Sequence, residues 1–123
     1  GPRLYDSPET KAMVQAAVDW FKSHRRILEA DVVHLRRPDG RDWDGILHVD
    51  PAAKHAMAVL YNPLSQPIRR RVRLPLAYAG LADGARLKIE GGRARALKPE
   101  RDGSVWVEFQ IPGEGFTWAE VLR

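Results

Sequence analysis

The densest group of residues that could do chemistry lies between positions 39 and 44. It holds three carboxylates, a guanidinium and an indole, on Asp39, Arg41, Asp42, Trp43 and Asp44. An indole can stack on a sugar ring while carboxylates and guanidinium groups bond its hydroxyls, so this segment could be the edge of a carbohydrate-binding site. Asp42 and Asp44 could also face one side of a strand and act as a general acid/base pair, or bind Ca²⁺.

The same segment has a structural interpretation that needs no ligand. Pro38, Asp39 and Gly40 are typical of a tight turn, because proline presets φ, aspartate bonds nearby amides and glycine accepts positive φ. The carboxylates would then cap the turn and pair with the nearby arginines, Arg36, Arg37 and Arg41. An EF-hand loop would need a later glutamate that is missing here, so we expect no metal.

The histidines favour structural roles. They stand at positions 24, 34, 48 and 55, form no HExxH motif, and have no cysteine to share a zinc ion. His34 and His48 lie on the two arms of one predicted hairpin and could face each other across it. Each serine lacks a nucleophile motif, and we assign no catalytic residue and no cofactor.

Trp106 is the remaining aromatic residue of interest. It follows the polar side of a predicted strand, where it could either stack on a sugar or pack against the helix. The candidate carbohydrate-binding residues are therefore Arg41, Asp42, Trp43, Asp44 and Trp106.

Hydrophobic periodicity predicts the elements that would position these residues. Ser7 is a good N-cap before Pro8 and Glu9, and apolar residues at helical spacing predict one helix over residues 8–29. Short strands are predicted at 31–37, 45–49, 56–61, 68–76, 86–90, 93–97, 104–111 and 116–122. This is a mainly β fold, an antiparallel β-sandwich of seven to eight strands preceded by one N-terminal α-helix. We expect residues 1–30 to be a lead-in and amphipathic helix, and residues 31–123 to be the sandwich domain.

The predicted helix carries more apolar surface than a helix of a small domain needs. Its large side chains require a substantial partner, which could be a missing domain or a second copy of the chain: Val14, Trp20, Phe21 and Leu28. If that partner is absent, the helix should expose an apolar patch.

Composition narrows the classes of partner. The chain has 123 residues with a net charge of +4, but its basic residues are spread along it, so we expect no nucleic-acid partner. No apolar run approaches the roughly 20 residues of a membrane span, and the absence of cysteine excludes disulfides. Because the chain opens with Gly-Pro, we expect it to be a fragment of a longer protein.

Three segments resemble the C-terminal region of retaining glycosidases in the α-galactosidase group, glycoside hydrolase families 27 and 36, or a related uncharacterised family. They are DWFKSHRRILEADVVHLRR, AVLYNPLSQPIRRRVRLPL and IPGEGFTWAEVL. In that group a last barrel helix runs directly into an antiparallel sandwich. The catalytic aspartates lie on barrel strands that have no counterpart here, so none is carried over to this chain.

The resemblance implies a non-catalytic sandwich domain that supports the catalytic barrel of a glycoside hydrolase. Two alternatives stay open: a self-standing carbohydrate-binding module, which the aromatic and acidic hairpin favours, and a protein-interaction sandwich that docks through its helix. The expected partners are the barrel or a second copy, and a glycan, with no membrane.

Overall fold

The structure, a computed structural model, describes residues 7–123, so residues 1–6 of the predicted lead-in lie outside the described residues. The helices are α1 (Pro8–Ser23) and α2 (Arg25–Leu28). The strands are β1 (Asp31–Arg36), β2 (Asp44–Asp50), β3 (His55–Asn62), β4 (Ile68–Pro75), β5 (Ala85–Ile89), β6 (Arg95–Leu97), β7 (Ser104–Ile111) and β8 (Gly115–Leu122). These eight strands form two antiparallel sheets, which confirms the predicted fold class. No described helix has the length and apolar character to cross a membrane.

The larger sheet has six strands in the order β1-β2-β3-β8-β5-β6. β3 lies between β2 and β8, as its apolar character on both faces predicted. Its inner face presents Ala56, Ala58 and Leu60, each fully buried. The small alanine side chains allow the second layer to approach closely, and the burial of this strand removes apolar surface from water on both sides.

The smaller sheet, β4 and β7, covers that inner face. Val72 and Leu74 of β4 point into the core, whereas Arg69, Arg71 and Arg73 alternate with them and are exposed. This alternation was predicted from the sequence. Arg70 stands on the inner side of this alternation, and its Nε donates to Asp42 Oδ1 at 3.0 Å.

The helices lie on the opposite, outer face of the larger sheet. Ile27 of α2 is 1% exposed and packs on the side of the sheet that carries Met57. The N-terminal helix predicted over residues 8–29 is present, but it is interrupted at His24, which divides it into α1 and α2. The His24 Nδ1–H and the Ser23 hydroxyl both donate to the Trp20 carbonyl, at 2.8 and 2.9 Å, and these bonds end α1.

The break brings aromatic rings onto the sheet. The Trp20 ring lies 5.5 Å from the Trp118 ring, and the His24 ring lies 5.0 Å from the same indole. Glu120 accepts a hydrogen bond from His55 Nε2 at 2.9 Å and lies 3.4 Å from His24 Nε2. The C-terminal turn of α1 is therefore fastened to the sheet by edge-to-face aromatic contacts.

The rest of α1 has no comparable contact, and none of its residues is buried. We call its exposed apolar stripe, together with two neighbouring sheet residues, the outer apolar face: Met13, Val14, Val18, Phe21, Tyr61 and Phe116. Phe116 extends the stripe because its ring lies 6.3 Å from Trp20. The predicted apolar patch on the helix is thus present. Two of the residues assigned to it lie elsewhere: Trp20 packs on the sheet, and Leu28 belongs to α2 and is half-buried.

Position 45 of β2 requires glycine because there is no space for a side chain; its backbone conformation does not require glycine. A Cβ atom there would lie 2.5 Å from Leu60 Cδ2 and 3.2 Å from Trp43 Cζ3. We expect Gly45→Ala to lower the free energy of unfolding by about 1–3 kcal/mol, because the core must move to admit a methyl group. Urea denaturation measures this change.

A double-mutant cycle gives the control for this prediction. Leu60→Val shortens the side chain that the new methyl group would meet, so the two substitutions together should cost less than the sum of their separate effects. Strict additivity would contradict the steric explanation.

Candidate functional site

The structure brings Trp43 and Trp106 to one surface cleft of about 310 Å³, between the β1–β2 loop and the outward side of the smaller sheet. We call it the tryptophan cleft. Its other polar lining residues are Arg71, Arg73 and His34, and none of its lining residues is acidic. A larger depression of about 620 Å³ lies beside Ile68 and Ile111, but it contains no predicted site residue.

Trp43 is held in the cleft by its backbone and by its ring. Its N–H donates to Asp42 Oδ1 at 2.7 Å, and its carbonyl accepts from Arg36 Nη1. The half-buried indole packs against the core over Gly45. The indole is therefore positioned before any ligand arrives.

The loop that carries Trp43 is fixed by two carboxylates. Asp42 bonds Arg70 on β4 and so ties the loop to the smaller sheet. Asp39 bonds Arg36 Nη2 at 2.9 Å and accepts from the Arg41 and Asp42 backbone amides at 2.9 and 3.3 Å. The Arg36 guanidinium first, and then the Arg41 amide, lower the pKa of Asp39 from 3.8 to about 2. The structural interpretation of this turn is thus correct for Asp39.

Trp106 lies on the exposed side of β7, opposite Arg73 of β4. The Arg71 guanidinium carbon stands 4.9 Å from the centre of the Trp106 ring, a cation–π contact. The expectation that Trp106 could pack against the helix was wrong, because the helices lie on the far side of the larger sheet. Arg73 bonds Asp102 at 2.8 Å; the Ser104 hydroxyl and then this arginine hold the pKa of Asp102 well below its usual range.

The remaining predicted site residues do not join the cleft. Arg41 is exposed on the loop outside the lining. Asp44 is paired with Tyr61 in β3, which places it on the outer face of the larger sheet, whereas Trp43 packs on the inner side. Asp42 is engaged with Arg70, so an acid/base pair of Asp42 and Asp44 has no support. Among residues 7–123, no cluster of histidine, aspartate and glutamate side chains could hold a metal ion.

The prediction that His34 and His48 face each other needs a correction. Strand register places His34 opposite Ile46 and His48 opposite Val32, so the histidines share a face without being directly paired. His48 is 7% exposed, and burial lowers its pKa.

Sequence reasoning missed the arginines of the cleft, Arg71 and Arg73. Their signal was present in the alternation of β4, which placed both on the exposed side. What was missing was the pairing of β4 with β7, which sets that side beside Trp106.

Comparison with known proteins places the fold. No protein-family model matches the chain, and no curated protein matches its sequence. Two of the solved structures that share the fold illustrate the likeness. One is a Bacillus halodurans protein provisionally assigned as an α-N-acetylgalactosaminidase, with a TM-score of 0.52, 12% identity and 75% of this chain covered. The other is a family 27 β-L-arabinopyranosidase from Geobacillus stearothermophilus in complex with arabinose, with a TM-score of 0.52, 12% identity and 76% covered.

This chain spans 20% of the length of each of those proteins. The matches confirm, at the level of the fold, the resemblance to the α-galactosidase group. At 12% identity they establish a shared sandwich architecture and carry no residue of an active site to this chain.

The lowered pKa of Asp39 generates a prediction about pH. Because the folded pKa lies below the usual value of 3.8, the bond to Arg36 is complete above that value and is lost only as the pH falls through about 2. A carboxyl carbon NMR titration should give Asp39 a midpoint near 2. Arg36→Gln should raise that midpoint, since Arg36 is its largest cause.

Arg37→Gln is the matched control, because it removes a neighbouring positive charge that makes no bond to Asp39 within the described chain. It should leave the midpoint of Asp39 nearly unchanged. An ordinary carboxyl midpoint in the unmodified protein would refute the loop contacts.

Proposed function

We propose that this chain is the non-catalytic β-sandwich domain of a glycoside hydrolase of the α-galactosidase type, and that its outer apolar face packs on the catalytic barrel. The observation that carries the proposal is the helix itself. Met13 is 73% exposed and Val14 50%. A contiguous patch of large apolar side chains is rare on a free surface and marks an interaction site. Helix α1 has sixteen residues, and none of them is buried.

The fold supports a barrel as the covering partner. The two glycosidases that share this architecture are about five times longer than the matched segment, since the chain spans 20% of each. A sandwich next to a large catalytic domain needs an apolar contact with it. The outer apolar face is the exposed surface of that character on the side where α1 arrives.

A non-catalytic role agrees with the chemistry of the described residues. The carboxylates of the β1–β2 loop hold arginines and backbone amides; Asp42 is engaged by Arg70, and Asp44 lies on the outer face of the larger sheet. Catalysis in the parent protein would then belong to the barrel. The alternative of a protein-interaction domain uses the same outer apolar face with a different partner.

The coding sequence upstream of Gly1 tests the proposal first. It should encode eight β/α units, and the protein expressed with them should hydrolyse a 4-nitrophenyl α-glycoside, whereas the chain alone should not. An upstream region without such units would contradict the proposal, as would hydrolysis by the isolated chain. A stable dimer of the isolated chain through α1 would instead favour a second copy as the partner.

Charged substitutions test the docking surface in the same two-domain protein. Val14→Asp with Val18→Asp should lower its free energy of unfolding by about 3 kcal/mol or more, because both carboxylates would be buried without partners. Differential scanning calorimetry and limited proteolysis between the domains measure the effect.

Ala12→Asp with Gln15→Asp provides a control with the same added charge. These exposed residues lie on the side of α1 turned away from the apolar stripe, where Gln15 bonds Asp19. This pair should have a much smaller effect. Equal destabilisation by both pairs would show that helix propensity, and not docking, is responsible.

A further inference from the structure

We propose that the tryptophan cleft binds a saccharide that carries one oxyanion, a carboxylate or a sulfate. This goes beyond the barrel-supporting role and does not depend on it. The inference rests on which positive charges along β4 are already neutralised and which one is not.

Three arginines of β4 have carboxylate partners. Arg69 Nε lies 3.1 Å from Glu108, Arg70 Nε lies 3.0 Å from Asp42, and Arg73 Nη2 lies 2.8 Å from Asp102. Within residues 7–123, Arg71 has no carboxylate partner and its side chain donates no hydrogen bond. The cleft that it lines contains no acidic side chain. Glu108 stands opposite Arg71 in the strand register but pairs with Arg69, so one guanidinium without an ion-pair partner faces the cleft.

The geometry of Arg71 suits an anion that presents two oxygen atoms side by side, as a carboxylate or a sulfate does. Its guanidinium stacks on the Trp106 face, 4.9 Å from the ring centre. Stacking occupies the π face of the group and leaves its in-plane N–H donors free for a bidentate bond to an oxyanion. The stack also restricts the side chain before binding, which reduces the entropy lost when an anion is held.

The rest of the cleft suits a sugar ring. Trp43 supplies a second indole that is anchored through its amide, its carbonyl and its contact with the core. A rigid indole can stack on the apolar face of a pyranose, while Arg73 offers a further polar group. The volume of about 310 Å³ lies at the lower end of the range for ligand pockets, so the cleft would hold a short saccharide.

The same charge count disfavours single-stranded nucleic acid. Such ligands need a groove with several free cations that follows the phosphate backbone. Here the neighbouring arginines are paired, and one free guanidinium matches one oxyanion. A neutral sugar would leave that guanidinium without its strongest partner.

Affinity electrophoresis of the whole chain tests the proposal. The gels contain polygalacturonate, a sulfated galactan or unsubstituted galactan. We expect retardation in at least one of the charged gels and little in the neutral one, and the gel that retards identifies the oxyanion. Arg71→Gln should weaken binding about tenfold or more, because it removes a charge-assisted bidentate bond. Trp106→Ala should also weaken it, by releasing Arg71.

Arg101→Gln is the matched control, since Arg101 is exposed, lies outside the lining and, like Arg71, has no carboxylate partner within residues 7–123. It should bind as the unmodified chain does. Near-ultraviolet circular dichroism establishes that each variant is folded.

Four results would overturn the proposal. They are an absence of retardation in both charged gels, equal retardation in galactan, equal weakening by Arg101→Gln, and tighter binding to single-stranded oligo(dT) than to either charged polysaccharide.

Discussion

The six-stranded sheet has two apolar faces, and this chain covers only one of them completely. Strand β3 gives the sheet its two apolar faces, because Ala56, Ala58 and Leu60 need cover on one side while Met57 needs it on the other. β4 and β7 supply the first cover. A short α2 and the end of α1 supply the second, which leaves Phe116 exposed at 54%. The outer apolar face lies where this cover is incomplete. The tryptophan cleft lies on the far side of the covering sheet.

Arginine–carboxylate pairs decide how the covering sheet meets the hairpin. Each exposed pair contributes little to stability. Asp42, however, joins a loop to a strand 28 residues away, and the same oxygen accepts the amide of Trp43. The Asp42–Arg70 pair therefore positions the loop more than it stabilises the fold. It sets where the indole stands relative to β4, and hence the width of the tryptophan cleft.

Much of the fold could be predicted from the sequence, because each strand carries its own alternation or turn residues. The centrality of β3 and the exposed arginines of β4 were readable in this way. The break at His24 was not, since it depends on side-chain donors that reach the Trp20 carbonyl. Hydrophobic periodicity shows which face of a helix is apolar. It gives no information about side-chain bonds that end a helix.

The candidate site was predictable only in part, for a geometric reason. Trp43 precedes β2 and packs on the inner side of the larger sheet, whereas Asp44, the first residue of β2, lies on its outer face, so the two do not share a site. The partner of Trp43 is Trp106, more than sixty residues away, and only the pairing of β4 with β7 and the loop clamp bring them together. Trp43 and Asp44, adjacent in sequence, thus lie on opposite sides of the sheet, whereas Trp43 and Trp106, distant in sequence, line one cleft.

The two surfaces can act independently because the larger sheet separates them. Trp106 and Arg71 point away from that sheet on the β4–β7 side, whereas Val14 and Phe116 lie on its helical side. A catalytic domain that covers the outer apolar face would leave the tryptophan cleft open to solvent. Under the two proposals, a saccharide bound at that cleft would be tethered beside the domain that covers the other face, which raises its local concentration there.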